Sequence, residues 1–378
     1  MTDRVLVTDV EERAVLAVCR GLREAGYAVG GVAGTRPAAG HWSRSVSKRY
    51  HLPNPRADAD AFVAGLAAIV SRGEYAALVP GVDAATLAVS EHREQLEQHV
   101  RIALPPHEIV MRCLDKPAFL EAATLAGIAP PPSETCATLD EALAAAARIG
   151  YPVVLKPTQS LRAGHMHTTQ YADDERAVRD LFPSFGGTVT LQRCETGHVC
   201  SISGVVFGGE LLALCASRDE RMWPPRGGFT SASVTMPPPS GIAEKTEALL
   251  RDLGWQGMFQ LELVEGRDGL ASIDFNPRPY GSLALAIAAG ANLPAILVDA
   301  LLGRAPTARI VARPGVRYRW EETEVLNALV ALRDGRVGDA ARVAKPRRGT
   351  THAFFRASDP APLAARVIGV LRSRLLRR

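Results

Sequence analysis

The chain has 378 residues, 47% of them apolar, and a formal net charge of +4 at pH 7. That is enough chain for two or three domains with sizeable cores, and too little charge to argue for nucleic acid or an anionic membrane as a partner. No stretch approaches the roughly 20 apolar residues of a membrane span, and the apolar run in the opening MTDRVLVTDVEERA is too short for a signal peptide. The six cysteines, Cys19, Cys113, Cys136, Cys194, Cys200 and Cys215, are scattered without a CxxC pair. They read as free thiols of a cytoplasmic protein rather than as a disulfide framework or a zinc site.

In chain order, RVLVTDV is a short β-branched run, and Glu11 to Ala25 carries apolar residues at helical spacing with Gly26 as its stop. YAVGGVAG restarts a strand, and YAALVPGVD (Tyr75 to Asp83) is a further buried-strand pattern. Strands separated by helices predict a parallel α/β sheet. Asp83 then falls either at a strand's C-terminal end, where such sheets place ligands, or at the start of a helix as its cap. A dinucleotide-binding oxidoreductase is disfavoured, because VTDVEER stands where GxGxxG is required.

Two helical stretches between Leu114 and Arg148 flank GIAPPPSE, and YPVVLKP (Tyr151 to Pro157) is a strand with a lysine near its end. TVTLQRC is another β-type run, and SISGVVFGGELLALCAS reads as a hairpin split by Gly-Gly. Pro224 to Gly241, rich in Gly, Pro, Ser and Thr, is predicted to be a loop, either plain or closing over a substrate. A helix from Ala243 to Leu253 leads to a second hairpin, MFQLELVEGRDGLASIDFNPRPYGS, then to the helix LALAIAAGAN. Past Gly303 a more basic section ends in an amphipathic helix expected to pack on the protein.

The second hairpin carries the chemistry. Gln260 and Glu262 alternate with apolar residues on its first strand, Asp274 and Asn276 on its second, so all four share one face. Two carboxylates and an amide are hard oxygen ligands suited to Mg²⁺, although a wetted polar sheet face would look the same. Arg278, two positions on, adds the fixed guanidinium that a reaction developing negative charge needs.

With these residues the sequence resembles the ATP-grasp superfamily of carboxylate–amine ligases. DFNPR looks like its acidic-x-Asn-Pro-Arg metal segment, LDKPAFLEAATLAGIAPPPSE like the segment opening the nucleotide site, and GYPVVLKP like the strand bearing its second nucleotide lysine. TLQRCETGH stands where the family has its adenine hinge, and GSLALAIAAGANLPAILVDALLG is similar to the family's helical stretch just after the metal segment. The resemblance implies an N-terminal open parallel-sheet domain (about 1–110) and an ATP-grasp domain (about 111–304). The latter divides into a small lid (about 120–198) and a larger antiparallel central sheet (about 199–304), and a C-terminal extension (305–378) packs on it. It further implies that ATP phosphorylates a carboxylate and that an amine attacks the acyl phosphate. Lys116 and Lys156 would hold phosphates, and Gln192, Arg193 and Cys194 the adenine, mainly by backbone groups. Glu262, Asp274 and Asn276 would hold Mg²⁺, two ions in relatives, with Mn²⁺ as a substitute. Arg278 would steady the reacting centre, and Arg226 would act beside it on the acceptor. Small-molecule carboxylate and amine are the implied partners, and a homodimer the implied assembly.

Three departures stand out. Asp274 replaces the family's usual Glu, the segment after Lys156 (TQSLRAGHMHTT) has one glycine where relatives are glycine-rich, and Gln260 competes with Glu262 as first ligand. The first two leave a non-catalytic nucleotide-binding protein as the alternative. His165 and His167, with no third ligand nearby, read as loop residues. RYRWEETEV (Arg317 to Val325) reads as a surface charge network in preference to a pocket lining, and Cys200 as a core position.

Overall fold

The structure is a computed structural model that describes residues 3–158, 169–266, 269–345 and 347–375. His165 and His167, with most of the segment after Lys156, lie outside the described residues.

The opening pattern folds as predicted. Strands β1 (Arg4–Val7), β2 (Ala28–Ala33), β3 (Lys48–His51), β4 (Ala77–Val79) and β5 (Arg101–Ile102) pair in parallel in the order β3-β2-β1-β4-β5. The C-terminal ends of β1 and β4 face the rest of the molecule. Asp9, just past β1, has φ +60°, a left-handed conformation that Asp tolerates better than most residues.

The lid is a four-stranded antiparallel sheet of β6 (Ser133–Cys136), β7 (Val153–Pro157), β8 (Gln170–Ala172) and β9 (Val189–Arg193), in the order β6-β9-β7-β8. The helix Leu139–Ile149 covers it, started by a capping box between Thr138 and Glu141. The helix Lys116–Leu125 lies outside this sheet. It packs on the helix Ile242–Leu253 and on the second hairpin, so the described lid strands begin at Ser133.

The third sheet holds β10 (Val199–Phe207), β11 (Glu210–Trp223), β12 (Phe229–Met236), β13 (Gly257–Gly266), β14 (Gly269–Asn276), β15 (Ile310–Val311), β16 (Arg317–Arg319) and β17 (Thr350–His352). The order is β14-β13-β10-β11-β12-β16-β17, with β15 on β11. Its strands from β14 to β16 run antiparallel, whereas β15 and β17 join in parallel. The C-terminal extension therefore completes the sheet as well as packing on it.

Two expectations are corrected here. The middle of the predicted loop Pro224–Gly241 is strand β12 (Phe229–Met236), with irregular stretches left only before and after it. Ser231, Ser233 and Thr235 are buried and their hydroxyls bond to Glu324, to the Arg218 carbonyl and to the Arg313 carbonyl. Small hydroxylated residues that composition assigns to a loop here form the polar interior face of a sheet. The RYRWEETEV segment is a charge network as expected, but it is set partly inside rather than on the surface. Tyr318 and Glu324 are buried, and Glu324 pairs with both Arg221 and Arg319.

The N-terminal and central sheets share one core through the helices His107–Leu114 and Lys116–Leu125, joining Leu6, Leu78 and Phe119 to Ile202, Phe259 and Phe275. The lid has a small separate core, rich in alanine.

Candidate active site

β13 and β14 pair with Glu262 opposite Asp274 and Gln260 opposite Asn276. Phe275, between Asp274 and Asn276, faces the other way into an aromatic cluster. It stacks on Phe119 (5.7 Å between centroids) and Phe259 (6.3 Å) and meets Trp255 edge-on. That anchoring turns Asp274 and Asn276 toward the lid.

Asn276 donates through Nδ2 to Gln260 Oε1 at 3.2 Å and to Glu262 Oε1 at 3.3 Å, while its Oδ1 accepts from Arg278 Nη2 at 3.1 Å. Gln260 also donates to Ser201, so both ends of its amide serve the protein. Glu262 has no such commitment beyond Asn276, which favours it as the ligand. Lys116 Nζ lies 2.5 Å from Asp274 Oδ1. Lys156 reaches across from the lid, donating to Gln192 Oε1 at 2.9 Å and to the Ile273 carbonyl at 2.8 Å. Arg278 is held at three points: Asn276, its neighbour's carbonyl at Pro279 (3.0 Å), and Asp83 Oδ1 at 2.5 Å.

The electrostatics follow from this packing. Burial, then the facing Asp274, raises Glu262 to about 7. Burial acts on Asp274 in the same sense, but Lys116 and Lys156 together outweigh it and hold that carboxyl below its ordinary value. Burial, then Lys116, lowers Lys156 to about 8. For Arg278 burial is opposed by Asp83 and the hairpin carboxylates, which keep it firmly protonated. A carboxylate raised this far is one whose charge the protein itself does not neutralise.

The donor set fits a divalent cation of the Mg²⁺ type. Glu262 is uncompensated, Asp274 faces it, and the third donor is the Asn276 amide oxygen. Among the described residues no three His, Cys, Asp or Glu side chains cluster, and the donors here are all oxygens, which suit a hard cation better than a transition metal.

The other sequence-predicted residues are placed differently. Gln192 is buried and its side chain serves Lys156 and Ser133. The N–H groups of Arg193 and Cys194 are spent on the Pro132 carbonyl (2.8 Å) and the Pro152 carbonyl (3.0 Å). These two donors knit the lid, so an adenine held by backbone groups of this stretch would meet its carbonyls, and the chain leaves β9 only at Cys194. Arg226 is exposed and forms a two-point pair with Asp173, just past β8, so it joins the β11–β12 turn to the lid and is not gathered with Arg278. A side chain at Gly227 would overlap the Tyr171 hydroxyl, which tightens the same contact.

Sequence reasoning missed the partner of Arg278. Asp83 is the first residue of the helix Asp83–Glu91, makes no capping bond with its side chain, and meets Arg278 across the domain boundary. Its place after a β4 strand end was the available signal.

A lid and an antiparallel sheet that face each other with a lysine from the former and an acid–amide hairpin on the latter define the ATP-grasp architecture. Residues 218–324 match the family described as ATP-grasp in the biosynthetic pathway with Ter operon. Residues 115–183 match the ATP-binding domain of the carbamoyl-phosphate synthase L chain. Two stretches of the chain thus match ATP-grasp models, and the chain has the ATP-grasp fold.

Solved structures share the fold at low identity. The biotin carboxylase domain of Hydrogenobacter thermophilus 2-oxoglutarate carboxylase, solved as a dimer with MgADP and bicarbonate, superposes with a TM-score of 0.66 at 16% identity, covering 84% of this chain and 73% of that one. N5-carboxyaminoimidazole synthetase from Staphylococcus aureus gives 0.65 at 11%, covering 84% and 82%. The L-amino acid ligase from Bacillus licheniformis gives 0.59 at 16%, covering 79% and 74%. Among the described residues no helix is long and apolar enough to cross a membrane.

Proposed function

We propose that the protein is an ATP- and Mg²⁺-dependent ligase that activates a carboxylate as an acyl phosphate and joins it to an amine, releasing ADP and phosphate. The observation that carries this reading is Arg278, fixed by Asp83, Asn276 and the Pro279 carbonyl beside the Glu262–Asp274 pair, with Lys116 and Lys156 closing the other side. Phosphoryl transfer needs little beyond positioning and charge stabilisation, and this set supplies both. Lys116 and Lys156 act as mobile point charges on phosphate oxygens. Arg278, unable to swing, presents its guanidinium to the reacting carboxyl and its phosphate. Mg²⁺ held by Glu262, Asp274 and Asn276 would draw charge from the phosphates of ATP. Use of ATP and six free cysteines accord with the cytoplasm.

The test is ADP release from ATP and Mg²⁺ over a library of carboxylic acids with hydroxylamine as trap, read together with hydroxamate formation. Acid-dependent ADP and hydroxamate in equal amounts support the ligase. MgATP binding without turnover for any acid would support the non-catalytic alternative, for which the engagement of Asp274 by Lys116 is the specific structural argument.

A further inference from the structure

On the sheet beside the hairpin and on the helix against Gly281 lie two ionisable side chains of opposite sign, Asp219, whose carboxyl burial raises to about 7, and Arg13; neither forms a salt bridge among the described residues. Arg13 opens the helix Arg13–Glu24, where the helix dipole opposes its charge and only the adjacent N-cap Glu12 and the Tyr318 hydroxyl favour it. Its guanidinium sits 3.6 Å from the centre of the Trp320 ring and 5.8 Å from that of Phe229, and Nε donates to the Gly281 carbonyl at 3.2 Å. A side chain at Gly281 would overlap this guanidinium. The glycine three residues past Arg278 is therefore what lets Arg13 lie against the site. The indole Nε1 of Trp320 is buried and has no acceptor. A buried N–H without an acceptor is rare and costly.

Asp219 is the counterpart. It stands on β11 opposite Ser233 of β12, which stands opposite Tyr318 of β16, so the three share a row on one sheet face. Asp219 is buried and accepts from the Thr230 hydroxyl at 2.9 Å. Ser217, two residues before Asp219 on the same face of β11, stands opposite Ser201 of β10, which stands opposite Glu262, so Asp219 lies on the sheet face of the hairpin carboxylates, between their row and Tyr318. Tyr318 in turn donates to the same Gly281 carbonyl that Arg13 uses, at 3.0 Å. The row from Asp219 to Tyr318 spans two strand spacings, roughly 10 Å. Opposite charges gathered about Tyr318 that do not meet each other leave matched positions for a ligand that carries both.

We infer that the amine acceptor is a free amino acid, its carboxylate held by Arg13 and its amino group facing Asp219. This deepens the ligase reading and rests on it. Arginine over an indole is a carboxylate receptor with its geometry already set, and its tie to the Gly281 carbonyl, three residues past Arg278, offers a position for a second carboxylate distinct from the activated one. It also places the acceptor's charged amine toward the hairpin side.

The experiment uses the full chain saturated with MgADP and measures binding of a panel of free L-amino acids, their α-amides and the corresponding decarboxylated amines by calorimetry. At least one free amino acid is expected to bind about 10- to 100-fold more tightly than its amide and its decarboxylated amine, the range for charge-assisted hydrogen bonds. Arg13→Met should erase that preference, and Asp219→Asn should weaken the free amino acid. If Arg13→Met folds poorly, Arg13→Lys is read instead and should lose about tenfold in the acid-over-amide ratio. No preference in the wild type, or a preference that survives both Arg13 variants, overturns the inference. The hydroxylamine assay needs no amino-acid acceptor. ADP release without any amino-acid preference therefore sinks this inference alone, whereas preference without ADP release sinks the ligase reading.

Discussion

Arg278 gains its position from a residue far away in sequence. Asp83 holds Nε at 2.5 Å and leaves Nη2 to bond Asn276, so the guanidinium is pinned from the N-terminal domain. Arg278→Ala should lower ADP formation by about 100-fold or more, as expected when a fixed donor to developing charge is removed. Asp83→Ala should cost about tenfold in kcat with ATP affinity unchanged, because it frees the guanidinium without touching the nucleotide. Initial rates with calorimetric ATP titrations separate the two. Asp9 makes a prediction about stability. Burial, its largest influence, raises this carboxyl to about 7. Between the unfolded value and 7 the folded protein binds more protons than the unfolded chain, so this contribution to stability falls as pH rises through that window. Asp9→Asn keeps an acceptor for the Gly81 N–H and suits the left-handed backbone. It should remove the fall, a relative gain at pH 8 over pH 5 of about 2–4 kcal/mol, read from urea unfolding at the two pH values.

At the scale of elements, the strands and the hairpin site were legible because period-two alternation survives burial: Glu262, Asp274 and Asn276 sit where alternation put them. What was not legible has a common cause. β12 alternates Ser and Thr with apolar residues, and a composition-based reading takes hydroxyls for solvent. Only the pairing with β11 and β16 shows that they satisfy interior carbonyls and Glu324. The same applies to Gln192 and Asp83, whose partners lie 36 and 195 residues away, distances over which local pattern carries no information. Arg226 shows the difference this makes. Its exposed pair with Asp173 ties the β11–β12 turn to the lid, and an exposed pair of this kind holds only weakly. Arg226→Ala should therefore leave kcat within about threefold and raise the KM for ATP instead, through easier lid opening. A loss of kcat like that of Arg278→Ala would restore the catalytic role expected from sequence.

On the scale of the whole molecule, the unequal cores set where it opens. The N-terminal and central sheets are welded by a large cluster with Phe62, Phe119 and Phe259, whereas the lid has a far smaller core of eleven buried residues among those described, four of them the alanines 142, 145, 146 and 172. Less apolar area buried per residue means a lower free energy of local opening. The cysteines report on this directly. Burial raises Cys136 in the lid to about 11, and Cys19, Cys113 and Cys215 in the larger cores to about 12. Each is inert while closed and reacts after opening. Site-resolved thiol labelling should modify Cys136 at least about tenfold faster than Cys19 or Cys215, the ratio set by about 1.4 kcal/mol in opening free energy. MgADP should slow Cys136 selectively, because the nucleotide is expected to bridge Lys156 of the lid to the central hairpin. Equal protection of Cys136 and Cys215 without nucleotide would mean that the lid opens only with the rest of the protein, and nucleotide entry would then require a different moving part.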